Sequence, residues 1–174
     1  FMLTGRDAEA AFAWICAGDT SRAPGTLTYT QMLNARGGIE CDLTVARLAE
    51  DTYYIVTGTG FATHDFAWIA RNIPEGADAR LTDVTSAWGQ LNIQGPRSRE
   101  LLQSLTSADL SNAALPFRAV REIDIGLARV VCARITYVGE LGYELNIPAE
   151  QALHVYDRIV EAGQAFGLRH AGLK

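Results

Sequence analysis

Tyr53-Tyr54-Ile55-Val56-Thr57-Gly58-Thr59-Gly60-Phe61-Ala62-Thr63-His64-Asp65-Phe66-Ala67-Trp68-Ile69 lies over residues 143–159 when the chain is shifted by 90 residues. The shift pairs Ile55 with Leu145, His64 with His154, Phe66 with Tyr156 and Ile69 with Ile159. It also lays Gly5-Arg6-Asp7, which opens a helical stretch to Cys16, over Gly95-Pro96-Arg97, which opens another to Thr106. Asp19 then falls on Asp109, and each stretch follows a short extended one, Phe1-Met2-Leu3 or Leu91-Asn92-Ile93. One offset running through helices and strands alike marks a duplication. With two copies it is a duplicated domain, because stacked solenoids need three or more repeats. The expected halves are 1–84 and 87–174.

Periodicity assigns the elements. Segments 7–17, 62–73, 97–106 and 149–166 carry apolar residues at helical spacing. Pro96 suits the first turn of its helix, where its missing N–H has no partner to lose. Segments 27–33, 39–48, 53–58, 87–93, 118–125, 128–137 and 142–147 are rich in Val, Ile, Thr and Tyr and read as strands. Gly37-Gly38 and Gly126 mark turns between paired strands. Each half reads strand, helix, two or three strands, helix. The fold class is α+β, with helices over a sheet face.

Composition narrows the partners. The chain of 174 residues is 48% hydrophobic and 20% charged, ordinary for a globular domain. A net charge of -5 excludes the basic face that nucleic acid requires. No run approaches the roughly 20 apolar residues of a membrane span. Cys16, Cys41 and Cys132 lack zinc-type spacing and read as small buried hydrophobes of a reducing compartment. His64 and His154 have no further ligand at metal spacing, so no metal site is expected. The Arg-rich, Lys-poor composition suggests a bacterial, cytoplasmic protein. The chain begins at Phe1, with no signal-peptide pattern.

Two segments could carry chemistry. In Ile39-Glu40-Cys41-Asp42-Leu43-Thr44-Val45, alternation puts Ile39, Cys41, Leu43 and Val45 on one strand face and Glu40, Asp42 and Thr44 on the other. Aspartate is a poor strand former, so Asp42 needs a reason to be there. Ninety residues on stands Cys132, so the repeated unit does not require the carboxylate. Tyr137-Val138-Gly139-Glu140-Leu141-Gly142-Tyr143-Glu144-Leu145 reads as a hairpin with Tyr137 ending one strand and Glu144 early in the next. A carboxylate such as Glu144 can accept two parallel hydrogen bonds from a donor–donor edge. No GxGxxG or GxxxxGK[ST] is present, so nucleotide and flavin motifs are lacking.

Thr28-Tyr29-Thr30-Gln31-Met32-Leu33-Asn34 followed by Gly37-Gly38-Ile39-Glu40-Cys41-Asp42 resembles the YTxMLNxxGGxxxD region of the glycine-cleavage T-protein family. It is more similar still to the folate-binding part of dimethylglycine and sarcosine dehydrogenases. The likeness continues through Tyr54-Ile55-Val56-Thr57-Gly58, His64-Asp65, Gln94-Gly95-Pro96 and Tyr137 to Glu144. The resemblance implies an α+β folate-binding fold of two similar ferredoxin-like halves. It implies an aminomethyltransferase-type activity that passes a one-carbon unit to tetrahydrofolate, giving methylene-tetrahydrofolate. Asp42 matches the family's essential aspartate near the reacting nitrogens, Glu144 the glutamate gripping the pterin edge, and Tyr137 a tyrosine lining the pocket. Thr44 matches a threonine near the aspartate, and Met32 and Leu33 would line the pocket with apolar surface.

The implied partners are a small N-methylated or aminomethyl substrate and a lipoylated carrier protein, with FAD entering only through a separate flavin domain. Gly58 departs from an asparagine common in T-proteins. The chain closes at His170-Ala171-Gly172-Leu173-Lys174, where relatives continue to a Ser-Leu-Arg whose arginine helps hold folate, so the chain reads as a fragment. The alternatives are a folate-dependent demethylase and a non-catalytic folate-binding or regulatory module. Modules of the second kind carry a cysteine in the hairpin motif, which Thr136-Tyr137-Val138-Gly139-Glu140 lacks.

Overall fold

A computed structural model describes residues 1–172. The chain end Leu173-Lys174, to which the sequence reading gave weight, lies outside the described residues. The protein divides into two compact units, Phe1–Thr85 and Ser86–Lys174.

The first unit runs β1 (Met2–Thr4), α1 (Ala8–Ile15), β2 (Thr26–Leu33), β3 (Ile39–Ala49), β4 (Thr52–Val56), α2 (Ala62–Asn72) and β5 (Arg80–Thr82). Its antiparallel sheet has the order β2-β3-β4-β1-β5. Without β2 this is the ferredoxin-like order, and β2 is a further strand paired to the outside of β3. In α1 the buried positions are Ala8, Ala11, Phe12 and Ile15, the i, i+3, i+4, i+7 stripe of an amphipathic helix. Phe12 meets Tyr53 edge to face at 5.1 Å, and both are fully buried with Leu3, Met32, Ile55 and Ile69.

The second unit runs β6 (Trp88–Gln94), α3 (Ser98–Gln103), β7 (Val120–Ile125), β8 (Ala128–Ala133), β9 (Gly142–Pro148) and α4 (Ala152–Gly163). Its sheet order is β6-β9-β8-β7, the order of the first unit without a counterpart of β5 among the described residues. Tyr143, Leu145, Ile147, Leu102 and Val155 fill its core.

The 90-residue offset holds for the helices: α2 begins at Ala62 and α4 at Ala152, and each follows a 3-10 turn, Thr59–Phe61 or Ala149–Gln151. Gly5 and Gly95 share positive φ angles of 133° and 115° before α1 and α3. At β3 and β8 the offset is different. Val45 pairs with Thr28 and Ile55, whereas Cys132 pairs with Arg121 and Leu145. Because Leu145 corresponds to Ile55, Cys132 is the counterpart of Val45, three residues away from the match read in sequence. Asp42 therefore corresponds to Arg129 and not to Cys132. The arginines agree: Arg47 lies 5.5 Å over Tyr53, and Arg134 lies 5.6 Å over Tyr143.

Two local expectations need correction, and one strand went unread. Ile39 was expected on the buried face of β3 but is 67% exposed, because a register irregularity between Met32 and Leu33 frees that end of the strand. Strand β8 stops at Ala133, and Tyr137 does not end it. The Ile135 N–H donates to the Ala133 carbonyl at 3.1 Å, a tight turn that takes the chain off the ladder. Strand β5 was not expected; three residues are too few to show alternation.

Candidate functional site

In the first unit the sheet has two chemically different faces. Cys41, Leu43 and Val45 point into the core, opposite Met32, Thr30 and Thr28. On the other face Asp42 stands opposite Gln31, and Thr44 stands between Tyr29 and Val56. Asp42 is exposed, and its Oδ1 accepts a hydrogen bond from Gln31 Nε2 at 3.0 Å. Pairing of β3 with β4 begins only at Thr44, so Asp42 projects from a stretch of β3 flanked by β2 alone. Thr44 is half-buried. Met32 is fully buried in the core, on the face opposite Asp42, and so does not line an open pocket as expected; Leu33 is exposed.

A second polar group lies where α2 meets β3. Thr57 Oγ1 donates a short hydrogen bond to Asp65 Oδ2, and Asp65 is itself buried. His64 Nδ1 lies 3.0 Å from Asp65 Oδ1, and its Nε2 lies 3.5 Å from Glu40 Oε2. Glu40 Oε1 in turn accepts from Asn34 Nδ2 at 2.8 Å. Cys41 Sγ completes the group, with one donor atom each from Cys41, His64 and Asp65 all within 4.8 Å of one another. Burial first, then the nearby Asp65 carboxylate, pushes the Cys41 thiol up to about 12. Spacing rules missed this group because its members come from a strand and a helix that only folding brings together.

The sequence reading also missed Arg47, which is buried. Its Nη2 bonds Glu9 Oε2 at 2.6 Å and Glu50 Oε2 at 2.9 Å, and its Nη1 bonds the carbonyls of Ser21 and Arg22, each at 3.0 Å. A lone basic residue after an apolar run gave no sign that it would anchor α1, a loop and a turn together.

In the second unit Glu144 stands between Asn92 of β6 and Ala133 of β8. Its Oε2 accepts from Gln90 Nε2 at 3.1 Å. Glu144 is half-buried, and the loss of water raises its carboxyl above the usual carboxylate range. Tyr137 sits in the loop between β8 and β9, 91% exposed. Thr136 Oγ1 ties that loop to β6 through Gln94 Oε1 at 2.8 Å. Gly58, the departure noted in sequence, immediately precedes the 3-10 turn that leads into α2.

A carboxylate exposed on a strand can stabilise a cation or take a proton. A half-buried one paired to an amide can hold a donor edge. Among the described residues no helix is long and apolar enough to cross a membrane.

The family model described as the GCVT N-terminal domain matches residues 1–174. The chain is 39% identical to the mitochondrial sarcosine dehydrogenase of Homo sapiens over 188 residues, covering 100% of this chain and 20% of that protein. It is 33% identical to the aminomethyltransferase of Alkaliphilus oremlandii, covering 97% of this chain and 46% of that protein. Among solved structures, the glycine cleavage system aminomethyltransferase T of Bartonella henselae superposes with a TM-score of 0.78 at 26% identity, over 91% of this chain and 42% of that one. The chain thus spans from about a fifth to just under half of these proteins. The mitochondrial relative gives no support to the bacterial, cytoplasmic setting expected from composition.

Proposed function

The chain belongs to the GCVT N-terminal domain family, and from that premise we propose that it is the tetrahydrofolate-binding, one-carbon-transferring part of an enzyme of the sarcosine dehydrogenase kind. The observation that carries this reading is Asp42, an exposed aspartate in mid-strand held by Gln31, at the position where the family motif has its essential carboxylate.

Bound tetrahydrofolate supplies the nitrogen nucleophiles that accept the one-carbon unit. For the chain's own residues two tasks follow. Asp42 Oδ1 is oriented by Gln31, and the exposed carboxylate would stabilise positive charge on an iminium-like donor and could take a proton during the transfer. Glu144 would hold the pterin: its Oε2 is engaged by Gln90, and a donor–donor edge could approach the carboxylate. The donor set fits the ligand, since a pterin edge offers two adjacent N–H groups and a half-buried carboxylate favours the approach of donors. Tyr137 and Leu33 are exposed and available as covering surface, Thr44 stands beside Asp42, and Met32 acts through the core beneath.

The likeness to sarcosine dehydrogenase favours an N-methyl amino acid as the source of the one-carbon unit over an aminomethyl group on a lipoylated carrier. The flavin that oxidises such a donor has no binding motif in this chain and would belong to another domain.

Calorimetric titration with tetrahydrofolate, on this chain and on one extended beyond Lys174, tests the reading. Binding by either, weakened at least tenfold in Glu144→Ala, is the expected result. No binding by either chain removes the folate assignment. Binding unchanged in Glu144→Ala removes the role given to that residue.

A further inference from the structure

We propose that Cys41, His64 and Asp65 form a binding site for a zinc-class divalent cation at the start of α2, independent of the folate reading. Three donors of different chemistry meet there: a thiol from β3, and an imidazole and a carboxylate from α2, all within 4.8 Å of one another. Donor atoms around a tetrahedral zinc, bound at roughly 2.0–2.3 Å, stand about 3.5 Å apart. Side-chain movements on the order of 1 Å therefore close the site.

The surrounding hydrogen bonds are a separate observation pointing the same way. A metal-bound histidine usually donates its other ring N–H to a carboxylate, which fixes its tautomer and orientation. His64 has that arrangement: Nδ1 faces Asp65 Oδ1 at 3.0 Å and Nε2 faces Glu40 Oε2 at 3.5 Å. Glu40 is itself held by Asn34 at 2.8 Å. Thr57 occupies Asp65 Oδ2, which leaves Oδ1 turned toward the imidazole and the thiol. Without a metal the Cys41 thiol is a further donor to Asp65; with one, the same sulfur, imidazole and carboxylate become the ligands.

The donor set selects the ion. Sulfur, nitrogen and one carboxylate oxygen suit zinc or cobalt, whereas magnesium and calcium take oxygen ligands. Binding places the cation between Cys41 Sγ, His64 Nδ1 and Asp65 Oδ1. The Cys41 thiol proton leaves to solvent and no oxidation state changes. A fourth position stays open to water on the exposed His64 side. The consequence for the fold is a tie between β3 and the first turn of α2.

Titration of the chelator-treated chain with Co²⁺, followed by Zn²⁺, decides the matter. One equivalent of Co²⁺ should produce a thiolate-to-cobalt charge-transfer band with intense tetrahedral visible bands, which Zn²⁺ then abolishes. Zn²⁺ should also raise the Tm, as any ligand specific for the folded state does. Cys41→Ser should lose the charge-transfer band. His64→Ala, whose folding is checked by its far-UV circular dichroism, should weaken binding by at least 100-fold, and Glu40→Gln by about 10–100-fold. The proposal is overturned if no charge-transfer band forms, if the band survives in Cys41→Ser, or if His64→Ala binds Co²⁺ like the parent.

Discussion

The two units share a strand order and helix positions, yet the polar residues that could do chemistry are not shared. Asp42 in the first unit corresponds to Arg129 in the second, and Glu144 in the second corresponds to Tyr54 in the first. Tyr54 is buried, and desolvation lifts its hydroxyl to about 12, so the first unit has a buried phenol that stays neutral where the second has a carboxylate. Core positions, by contrast, were kept: Tyr53 and Tyr143 are both fully buried, each beneath an arginine. Packing limits what can change in the core at nearly every position, since even one methylene is felt there. The sheet faces away from the core carry no such limit, and the copies diverge on them.

The largest expected effect concerns Asp42. In an enzyme containing the whole protein, Asp42→Ala should lower methylene-tetrahydrofolate formation by about 10²–10⁴-fold, the usual contribution of a positioned acid–base group. The Tm should stay within about 2 °C, because the side chain is exposed. Near-normal product formation would mean that the difference between Asp42 and Arg129 has no catalytic meaning.

Next comes the pair of arginines. Arg47 is buried against Glu9, Glu50 and four backbone carbonyls, whereas Arg134 is half-buried against Asn112 and the Leu115 carbonyl. Glu9 and Glu50 are partly or largely exposed, so solvent screens the charge pairs. Arg47→Ala should therefore cost about 3 kcal/mol, the lower end for breaking a buried pair, and Arg134→Ala about 1 kcal/mol. Urea unfolding of both variants measures the difference. Equal losses would show that the carboxylates in the first unit add nothing.

The equivalent glycines give a smaller contrast. Both hold positive φ angles, so alanine at either strains the backbone by about 1–3 kcal/mol. At Gly5 the new Cβ would also lie 2.2 Å from the Asp78 carbonyl oxygen, while at Gly95 nothing lies within 4 Å. Gly5→Ala should lower the Tm several degrees further than Gly95→Ala, which calorimetry resolves. Asp78 leads into β5, the strand without a described counterpart in the second unit.

The smallest effect has the opposite sign. Burial raises the Glu144 pKa in the folded protein, so the folded state holds its proton more tightly than the unfolded chain does. As pH rises from the unfolded value through the folded one, stability falls. Glu144→Gln should therefore raise the Tm above that range and leave it unchanged well below. A Tm gain that persists in acid would assign the effect to something other than ionisation. If the same variant also loses folate, the residue was kept for binding at a cost in stability.

Much of the scaffold was legible in the sequence because burial imposes periodicity. Among the described residues all four helices and seven of the nine strands announce themselves by stripes of apolar or β-branched residues, and the offset of 90 aligns the helices correctly. The short β1 was visible only as an extended stretch before its helix, and β5 is too short to alternate at all. The register of β8 was misread because strand alignment by similarity cannot detect a three-residue slip that ladder hydrogen bonds settle. Motif reading singled out Asp42 and Glu144, but gave Met32 a lining role that its place in the core does not suit.

By itself, then, the sequence read the α+β class, the 90-residue offset that the helices follow and the places of two carboxylates along their strands, because each of these is local or periodic. Only tertiary structure decided that Asp42 answers to Arg129, that Tyr137 leaves its strand, and that Arg47 is sealed beneath α1. It also brought Cys41 beside His64 and Asp65. These outcomes depend on pairing register and on contacts between residues far apart in the chain, where no spacing rule reaches and where hydrogen bonds and close packing choose among the alternatives.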